Sequence, residues 1–423
     1  MKPSPYRWII LTLLMLVTFV VSIQWLTHAA VVRPAEVFYK GQVDPASFLN
    51  IDFLALSYML IFLAMSLPAS YIIDTYGIKT GLTIGSLMVA VFSITKALFA
   101  TSFNGVVISQ IGLAIAQPFI LNAVTAVTVR WFPFSERGLA AGMAVLAQYL
   151  GIIVAMLVTP LIVGSHPELE NYGTGFEKML WIYGILSLVS SLALILLIKE
   201  HPEDFEFPIQ DVPQGFGKGV LDILYNRDMQ ITMILFFVGL GIFNAVSSMT
   251  DRISEMAGVK DSDGLIGGIM LIGGIIGALI LPILSDKFRK RKLFLVICLI
   301  GMVPGVFGLS FAGDLRLNPE NTYSILLVSS FVLGFFVMSA GPIAFQYAAE
   351  VSHPAPEAAS QGILLWIGQL SGMLFVAGMS IDKNAHLVSF MSAFAILSVF
   401  ALVSVFFLRE SPMMIAETIP LSK

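Results

Sequence analysis

Charged residues and cysteine are scarce in this chain. Only 12% of its 423 residues are charged, against about 25% in an average soluble domain. The one cysteine, Cys298, has no partner for an intramolecular disulfide, which excludes a disulfide-stabilised scaffold. The net charge of −4 is small and dispersed, so the chain offers neither a basic surface for nucleic acid nor an acidic tail.

Catalytic and nucleotide-binding motifs are missing too. The five histidines form no metal-spaced cluster, and no nucleophile with a base or pair of carboxylates stands out. Two glycine pairs, Gly267-Gly268 and Gly273-Gly274, lack the Gly-Lys-Ser/Thr ending of a phosphate-binding loop and are predicted to pack helices instead. We therefore expect neither an enzyme nor an ATP-driven pump, and no metal or cofactor.

Long apolar runs dominate what is present. Hydrophobic residues make up 57% of the chain, and the runs recur near the ~20 residues that a helix needs to cross ~30 Å of hydrocarbon. The first run, 8–33, is longer than the roughly 7–15 residues of a cleavable signal core, so we expect it to be retained. The pattern predicts an all-α membrane protein with twelve spans, near 8–33, 48–74, 80–101, 103–130, 137–163, 178–198, 229–255, 263–285, 291–312, 322–351, 357–381 and 386–408.

The predicted spans form two sets of six. One long polar segment, 199–228, is predicted to be a cytoplasmic linker between an N-terminal bundle, 1–198, and a C-terminal bundle, 229–423. If the termini and the even-numbered loops share one side, fifteen of the 23 lysines and arginines lie there, including the run 287–292, and seven lie opposite. By the positive-inside rule, both termini are cytoplasmic.

A short motif occurs at equivalent places in the two halves. The second span ends in Asp74-Thr-Tyr-Gly77-Ile-Lys79, and the eighth ends in Asp286-Lys-Phe-Arg289. Both resemble the loop signature of the major facilitator superfamily, Asp-Arg-x-Gly-Arg-Arg/Lys, although a threonine replaces its first arginine and the second copy lacks the glycine. The resemblance implies two six-helix halves that rock around a substrate near the bilayer midplane. Asp74, Lys79, Asp286 and Arg289 are then candidate gating residues, because an aspartate can bind helix N-termini or cations in one conformation only.

Ionisable side chains inside apolar spans are costly and rare, so each is a candidate site. Arg33 and Asp52 lie near span ends, where snorkelling to water is the alternative. Lys96 lies deeper in the third span. His28 is a candidate for proton coupling, because imidazole can exchange a proton near neutral pH. These four residues are the candidate coupling groups.

A closer resemblance is to the feline leukaemia virus subgroup C receptor (FLVCR) family. It covers both halves and rests on Gln24-Trp25, Tyr58-Met59, Ala116-Gln117, Gln148-Tyr-Leu-Gly151, Gly341-Pro-Ile-Ala-Phe345, Ala349-Glu350 and Gln369, with Lys96 where that family has a lysine. The family is associated with choline and ethanolamine uptake, and earlier with haem.

The resemblance also implies an amine site. The family's aromatic cage with two glutamines matches Trp25, Gln148 and Gln369, but its helix-seven tyrosine falls on Asn244, beside Phe243. A lost ring removes ~0.5 to 2 kcal/mol of cation–π attraction, whereas an amide suits a substrate with hydroxyl, amide or carboxylate groups. Two further residues are candidate wall residues of the site: Trp366, one turn before Gln369, and Gln117.

We predict a secondary transporter for a small organic solute, with choline or another organic amine as first candidate. The alternative is a proton-coupled carrier of an organic anion or metabolite; haem is third, because five histidines and one cysteine offer no evident axial-ligand site. A non-transporting receptor is the alternative from another class, although the predicted loops are short. We expect a monomeric, multi-pass protein of the plasma (inner) membrane whose partners are its substrate and lipid.

Overall fold

Twelve helices among the described residues are long and apolar enough to cross a membrane, as the apolar runs predict. The computed structural model describes the whole chain except residues 1–3, 45–46, 48, 165–170, 203–214, 260, 262–264, 316–317, 381–385 and 414–423. Within those described residues, the only β-structure is an isolated bridge between Lys40 and Val43. The prediction of an all-α membrane protein is confirmed.

Internal contacts divide the chain into two compact units. The first comprises 1–132 and 144–209, and the second comprises 133–143 and 210–423. The middle of the predicted linker, 203–214, lies outside the described residues, so the extent of that linker stays a prediction. The helices of the first unit are α1 (Tyr6–Leu26), α2 (Val32–Phe38), α3 (Ile51–Tyr76), α4 (Ile78–Leu98), α5 (Phe103–Leu121), α6 (Ala123–Trp131), α7 (Arg137–Ile162, whose first turns belong to the second unit) and α8 (Phe176–Leu197).

The first membrane span is broken in its C-terminal third. Helix α1 ends at Leu26, a 3-10 turn covers Ala29–Val31, and α2 follows. Pro34 accounts for the break, because a proline ring clashes with the carbonyl four residues earlier and offers no N–H to bond it. At Val31 the backbone leaves the helical region, with φ −140° and ψ 41°. The polar residues Gln24 to His28 therefore lie next to a helix interruption.

Glycines allow α4 and α5 to approach closely. A methyl group on Gly85 would lie 2.7 Å from Cβ of Phe119, and one on Gly112 would collide with the ring of Phe92. Small residues at such contacts let helix backbones pack tightly in lipid, where association depends on van der Waals contact. This packing fixes α4, which carries Lys96.

The second unit contains the remaining helices. They are α9 (Phe216–Tyr225), α10 (Arg227–Ser248), α11 (Thr250–Met256), α12 (Leu265–Phe288), α13 (Arg291–Phe311), α14 (Pro319–Ser352), α15 (Glu357–Ser380) and α16 (Leu387–Val405). A methyl group on Gly273 would collide with the backbone of α14, and one on Gly274 with Met338 of the same helix. The packing role predicted for this pair is confirmed. Among the described residues, the nearest atom is 3.7 Å from a methyl group on Gly267, and none lies within 4 Å of one on Gly268, so for these two glycines the packing role stays a prediction.

Candidate functional site

An aromatic pair lies beside the break in the first span. Trp25 is half-buried near the end of α1, and its ring stacks on that of Tyr58 in α3, with centroids 6.3 Å apart and planes at 23°. The Trp25 indole donates a hydrogen bond of 3.1 Å to the carbonyl of Ala55, which fixes the ring. The Tyr58 hydroxyl is buried without a hydrogen-bond partner among the described residues. Two fixed rings with an unused hydroxyl can receive an organic cation that carries a polar group.

The other predicted binding residues of the first unit are placed less tightly. Gln148 is half-buried in α7, and Gly151, three residues later, packs on Ser22 of α1. Gln117 is buried in α5, directly before Pro118. Both therefore lie in the membrane-spanning part of the unit, as predicted.

In the second unit, α10 and α15 bring two unused amide groups into the same region. Gly372 lies against Asn244, since a methyl group on this glycine would come within 2.8 Å of the Asn244 amide nitrogen. Gln369 precedes Gly372 by three residues, so the two lie on a similar face of α15. The Asn244 Nδ2 and the Gln369 Oε1 are both buried, and neither has a hydrogen-bond partner among the described residues.

Such unused groups indicate a place for a polar ligand or water. Burying a donor or acceptor without a partner costs ~1–3 kcal/mol, and here one donor and one acceptor lie on neighbouring helices. Phe243, beside Asn244, is buried, and Trp366 is half-buried one turn before Gln369. The second unit thus contributes hydrogen-bonding capacity with two aromatic residues nearby.

Two of the four candidate coupling residues belong to one buried polar cluster. The Lys96 cluster consists of Gln24, His28, Lys96 and Gln110. The Lys96 ammonium donates to the Gln24 side-chain oxygen at 3.2 Å and to its carbonyl oxygen at 3.4 Å. Gln110 donates to the carbonyls of Gln24, Trp25 and Leu54 at 3.2, 3.4 and 3.0 Å.

His28 completes the Lys96 cluster, because its ring is close enough to interact electrostatically with Lys96. Its side chain is buried, its ring stacks on Phe176 at 6.2 Å, and neither ring nitrogen has a partner among the described residues. The other two candidates, Arg33 in α2 and Asp52 in the first turn of α3, are exposed. An exposed aspartate there is favoured by the helix dipole without any role in coupling.

The predicted gating aspartate of the second unit is the centre of a buried ion cluster. Asp286 is buried at the end of α12, accepts the backbone N–H of Leu139 at 3.0 Å, and pairs with Arg291 at the start of α13. Arg291 is fully buried and also bonds Glu350 of α14 at 3.1 Å. Arg289 is exposed. The cation on Asp286 is Arg291, which the sequence analysis did not single out.

In the corresponding loop of the first unit, a carboxylate binds the start of the following helix. Asp74 is half-buried, and the Lys79 side chain is exposed. The backbone N–H groups of Ile78 and Lys79 donate to the Glu200 carboxylate at 3.0 and 2.8 Å, and Arg130 pairs with the same carboxylate. Glu200 therefore caps the start of α4, where the partial positive charge of the helix favours an anion.

Comparison with known proteins shows what this architecture is. The model of the Major Facilitator Superfamily matches residues 7–376 and 253–419. This chain belongs to the major facilitator superfamily. The facilitator is similar to the choline/ethanolamine transporters FLVCR2 of Rattus norvegicus and flvcr2a of Danio rerio. It is 25% identical to the first over 403 residues, covering 90% of this chain and 70% of the relative, and 26% identical to the second over 417 residues, covering 92% and 84%.

Solved structures show the same fold. The proton:xylose symporter XylE bound to 6-bromo-6-deoxy-D-glucose has a TM-score of 0.73 at 15% identity, covering 97% of each chain. FucP in the outward conformation has a TM-score of 0.73 at 13% identity, covering 95% of this chain and 99% of its own. The predicted fold and the predicted likeness to the FLVCR family are confirmed. The facilitator is a secondary transporter that works by alternating access, and it is not an enzyme.

Several residues of this facilitator could have been found from its internal repeat. Arg291 follows Asp286 by five positions, as Lys79 follows Asp74. The last spanning helix of the first unit is followed by Lys199-Glu200-His201-Pro202, and that of the second unit by Arg409-Glu410-Ser411-Pro412. Glu410 accepts the backbone N–H of Lys292 at 3.1 Å in the second residue of α13, as Glu200 does for Lys79 in α4. Gln110 and Tyr58 have no matching residue in the second half of the chain that would have singled them out in the sequence.

Proposed function

We propose that this facilitator carries choline or another small organic amine. The half-buried Trp25 ring, held in place beside Tyr58, is the observation that supports this most, because its face can attract a desolvated ammonium by ~0.5 to 2 kcal/mol. The fixed indole needs no reordering when the cation arrives. The choline/ethanolamine transporters to which the chain is similar point to the same substrate class.

The amide groups supply the polar part of the proposed recognition. Gln148 and Gln369 would bond a substrate hydroxyl or amine, and the unpaired oxygen of Gln369 is an acceptor ready for such a donor. Asn244, whose amide nitrogen is unpaired among the described residues, would donate to an oxygen of the substrate and so favour amines that carry hydroxyl or carboxylate groups. Phe243, Trp366 and Gln117 would shape the remainder of the site.

The proposal is tested by uptake of labelled choline into proteoliposomes that contain the purified facilitator. We expect uptake above that of empty vesicles, competition by ethanolamine, and none by xylose, fucose or a simple organic acid. Vesicles that accumulate no labelled amine, or an organic acid that competes as well as ethanolamine does, would exclude the amine assignment.

Replacing Asn244 by tyrosine is expected to tighten choline binding. The substitution restores a ring that the FLVCR-type cage has and this chain lacks, so we expect the KM for choline to fall by up to about tenfold. Asn244→Ala is the control, since it removes the amide without adding a ring. An unchanged KM in Asn244→Tyr would place this position outside the substrate site.

We also propose how the carrier sits in the cell and how its loops act. An excess of basic residues on one side supports termini on the cytoplasmic side of the plasma (inner) membrane. The activity of a phosphatase or fluorescent reporter fused to the C-terminus would test this orientation. We propose that the carrier works as a monomer.

Asp286, Asp74 and their basic neighbours would act as gates, because a helix start bound by a carboxylate can be released when the conformation changes.

A further inference from the structure

The Lys96 cluster buries a cation without a carboxylate. The Lys96 side chain has no exposed surface, and both of its recorded partners are oxygens of Gln24. In the part of the chain that the structure describes, no ion pair involves Lys96. A buried ammonium must therefore be stabilised by neutral dipoles alone.

The cluster has more neutral acceptors than its hydrogen bonds use. Besides the two oxygens of Gln24, the Gln110 Oε1 is buried without a partner, and a neutral His28 ring offers one unused lone pair. Gln110 uses its amide nitrogen to hold the carbonyls of Gln24 and Trp25 in place. These carbonyls belong to the last turn of α1, the negative end of the helix dipole.

Among the described residues, no carboxylate is paired with the lysine. Three buried tyrosines lie in the same unit. Tyr39 donates to the carbonyl of Ala100 at 2.7 Å, Tyr183 bonds Thr159 at 3.1 Å, and Tyr58 stacks on Trp25. Glu177, in the first turn of α8, is exposed. Carbonyl and amide oxygens without carboxylates are how proteins coordinate weakly held monovalent cations.

We propose that the Lys96 ammonium is a tethered cation, which fills a site for a monovalent alkali ion formed by Gln24, Gln110 and His28. The carrier then needs no bound alkali ion for its cycle, because the ion is part of the chain. Removing the ammonium leaves the oxygens in place and creates a site for Na⁺ or K⁺. This inference goes beyond the proposed amine transport and does not depend on which solute is carried.

The test compares Lys96→Ala with wild type by thermal unfolding of the purified protein in detergent, in sucrose, NaCl and KCl. We expect the Tm of wild type to be the same in all three. Lys96→Ala should lose several degrees in sucrose and regain them as NaCl or KCl rises, because an ion that binds only the folded state stabilises it by mass action. Lys96→Arg, which keeps a cation, should resemble wild type.

Lys178→Ala is the matched control for general salt effects, because it removes an exposed lysine of α8. The proposal is overturned if Lys96→Ala is as stable as wild type in sucrose. It is equally overturned if the variant stays unfolded in molar NaCl and KCl, or responds to them no more than Lys178→Ala does. Since the readout is unfolding, failure of choline uptake would leave this result unaffected.

Discussion

Arg291→Ala is expected to destabilise the second unit severely, with little folded protein recovered from the membrane. Arg291 is fully buried, and its loss leaves the Asp286 and Glu350 carboxylates buried without their cation. Removing one partner of a buried ion pair costs ~3–5 kcal/mol, and this substitution leaves two buried carboxylates without their partner. Fluorescence size-exclusion chromatography and thermal unfolding in detergent would measure the loss. Arg291→Lys should recover only part of it, because an ammonium cannot reproduce the fork of a guanidinium.

Two controls separate the charge from the side-chain volume. Arg289→Ala removes an exposed arginine two residues away and should leave the Tm almost unchanged. The triple variant Asp286→Asn, Arg291→Met, Glu350→Gln removes all three charges together and should fold better than Arg291→Ala. If Arg291→Ala unfolds at the wild-type temperature, the buried cluster contributes nothing to stability. If the triple variant folds and still transports at the wild-type rate, the proposed gating role of Asp286 is wrong.

Trp25→Ala is expected to reduce choline uptake by about tenfold or more, because it removes a cation–π surface worth up to ~2 kcal/mol when desolvated. It also frees the Tyr58 ring, which loses the indole it stacks on. Initial rates of labelled choline uptake in proteoliposomes, at matched protein content, give the measurement. Trp25→Phe keeps an aromatic face and should retain more uptake than Trp25→Ala.

Trp181→Ala is the matched control, because Trp181 is an exposed tryptophan in α8 of the same unit. Its uptake should equal that of wild type. Equal uptake in Trp25→Ala and wild type would remove Trp25 from the substrate site, provided that wild-type vesicles transport choline. A parallel loss of Tm and uptake in Trp25→Ala would instead indicate a packing role, since its indole also bonds Ala55.

The number and approximate ends of the spanning helices could be predicted because a bilayer imposes a minimum length on every apolar run. The break at Ala29–Val31 was not predicted, although its cause is visible in the sequence as Pro34. Proline acts on the carbonyl four residues earlier, so the interruption falls inside a run that composition alone extends to residue 33. The sequence singles out His28 and Lys96 separately, but it does not show that one cluster contains both.

The contacts of polar side chains were harder to predict. These helices are apolar on nearly every face, so the sequence gives weak information about which face meets which neighbour. Tyr58 and Gln110 looked like ordinary members of apolar runs, whereas the structure places one on Trp25 and the other on the end of α1. Aligning the two halves of the chain on Asp74 and Asp286 identifies Arg291. Aligning the segments that follow the sixth and twelfth spans identifies Glu200.

The two copies of the loop motif share a positive φ three positions after the aspartate, although the residue at that position differs. Gly77 has φ +96°, a conformation that glycine adopts freely, and Arg289, three positions after the second aspartate, has φ +53°. An L-residue in the left-handed region costs about 1–2 kcal/mol. The second loop thus keeps a positive φ at the position where the first loop has its glycine. This φ is unstrained in the first loop and costs free energy in the second.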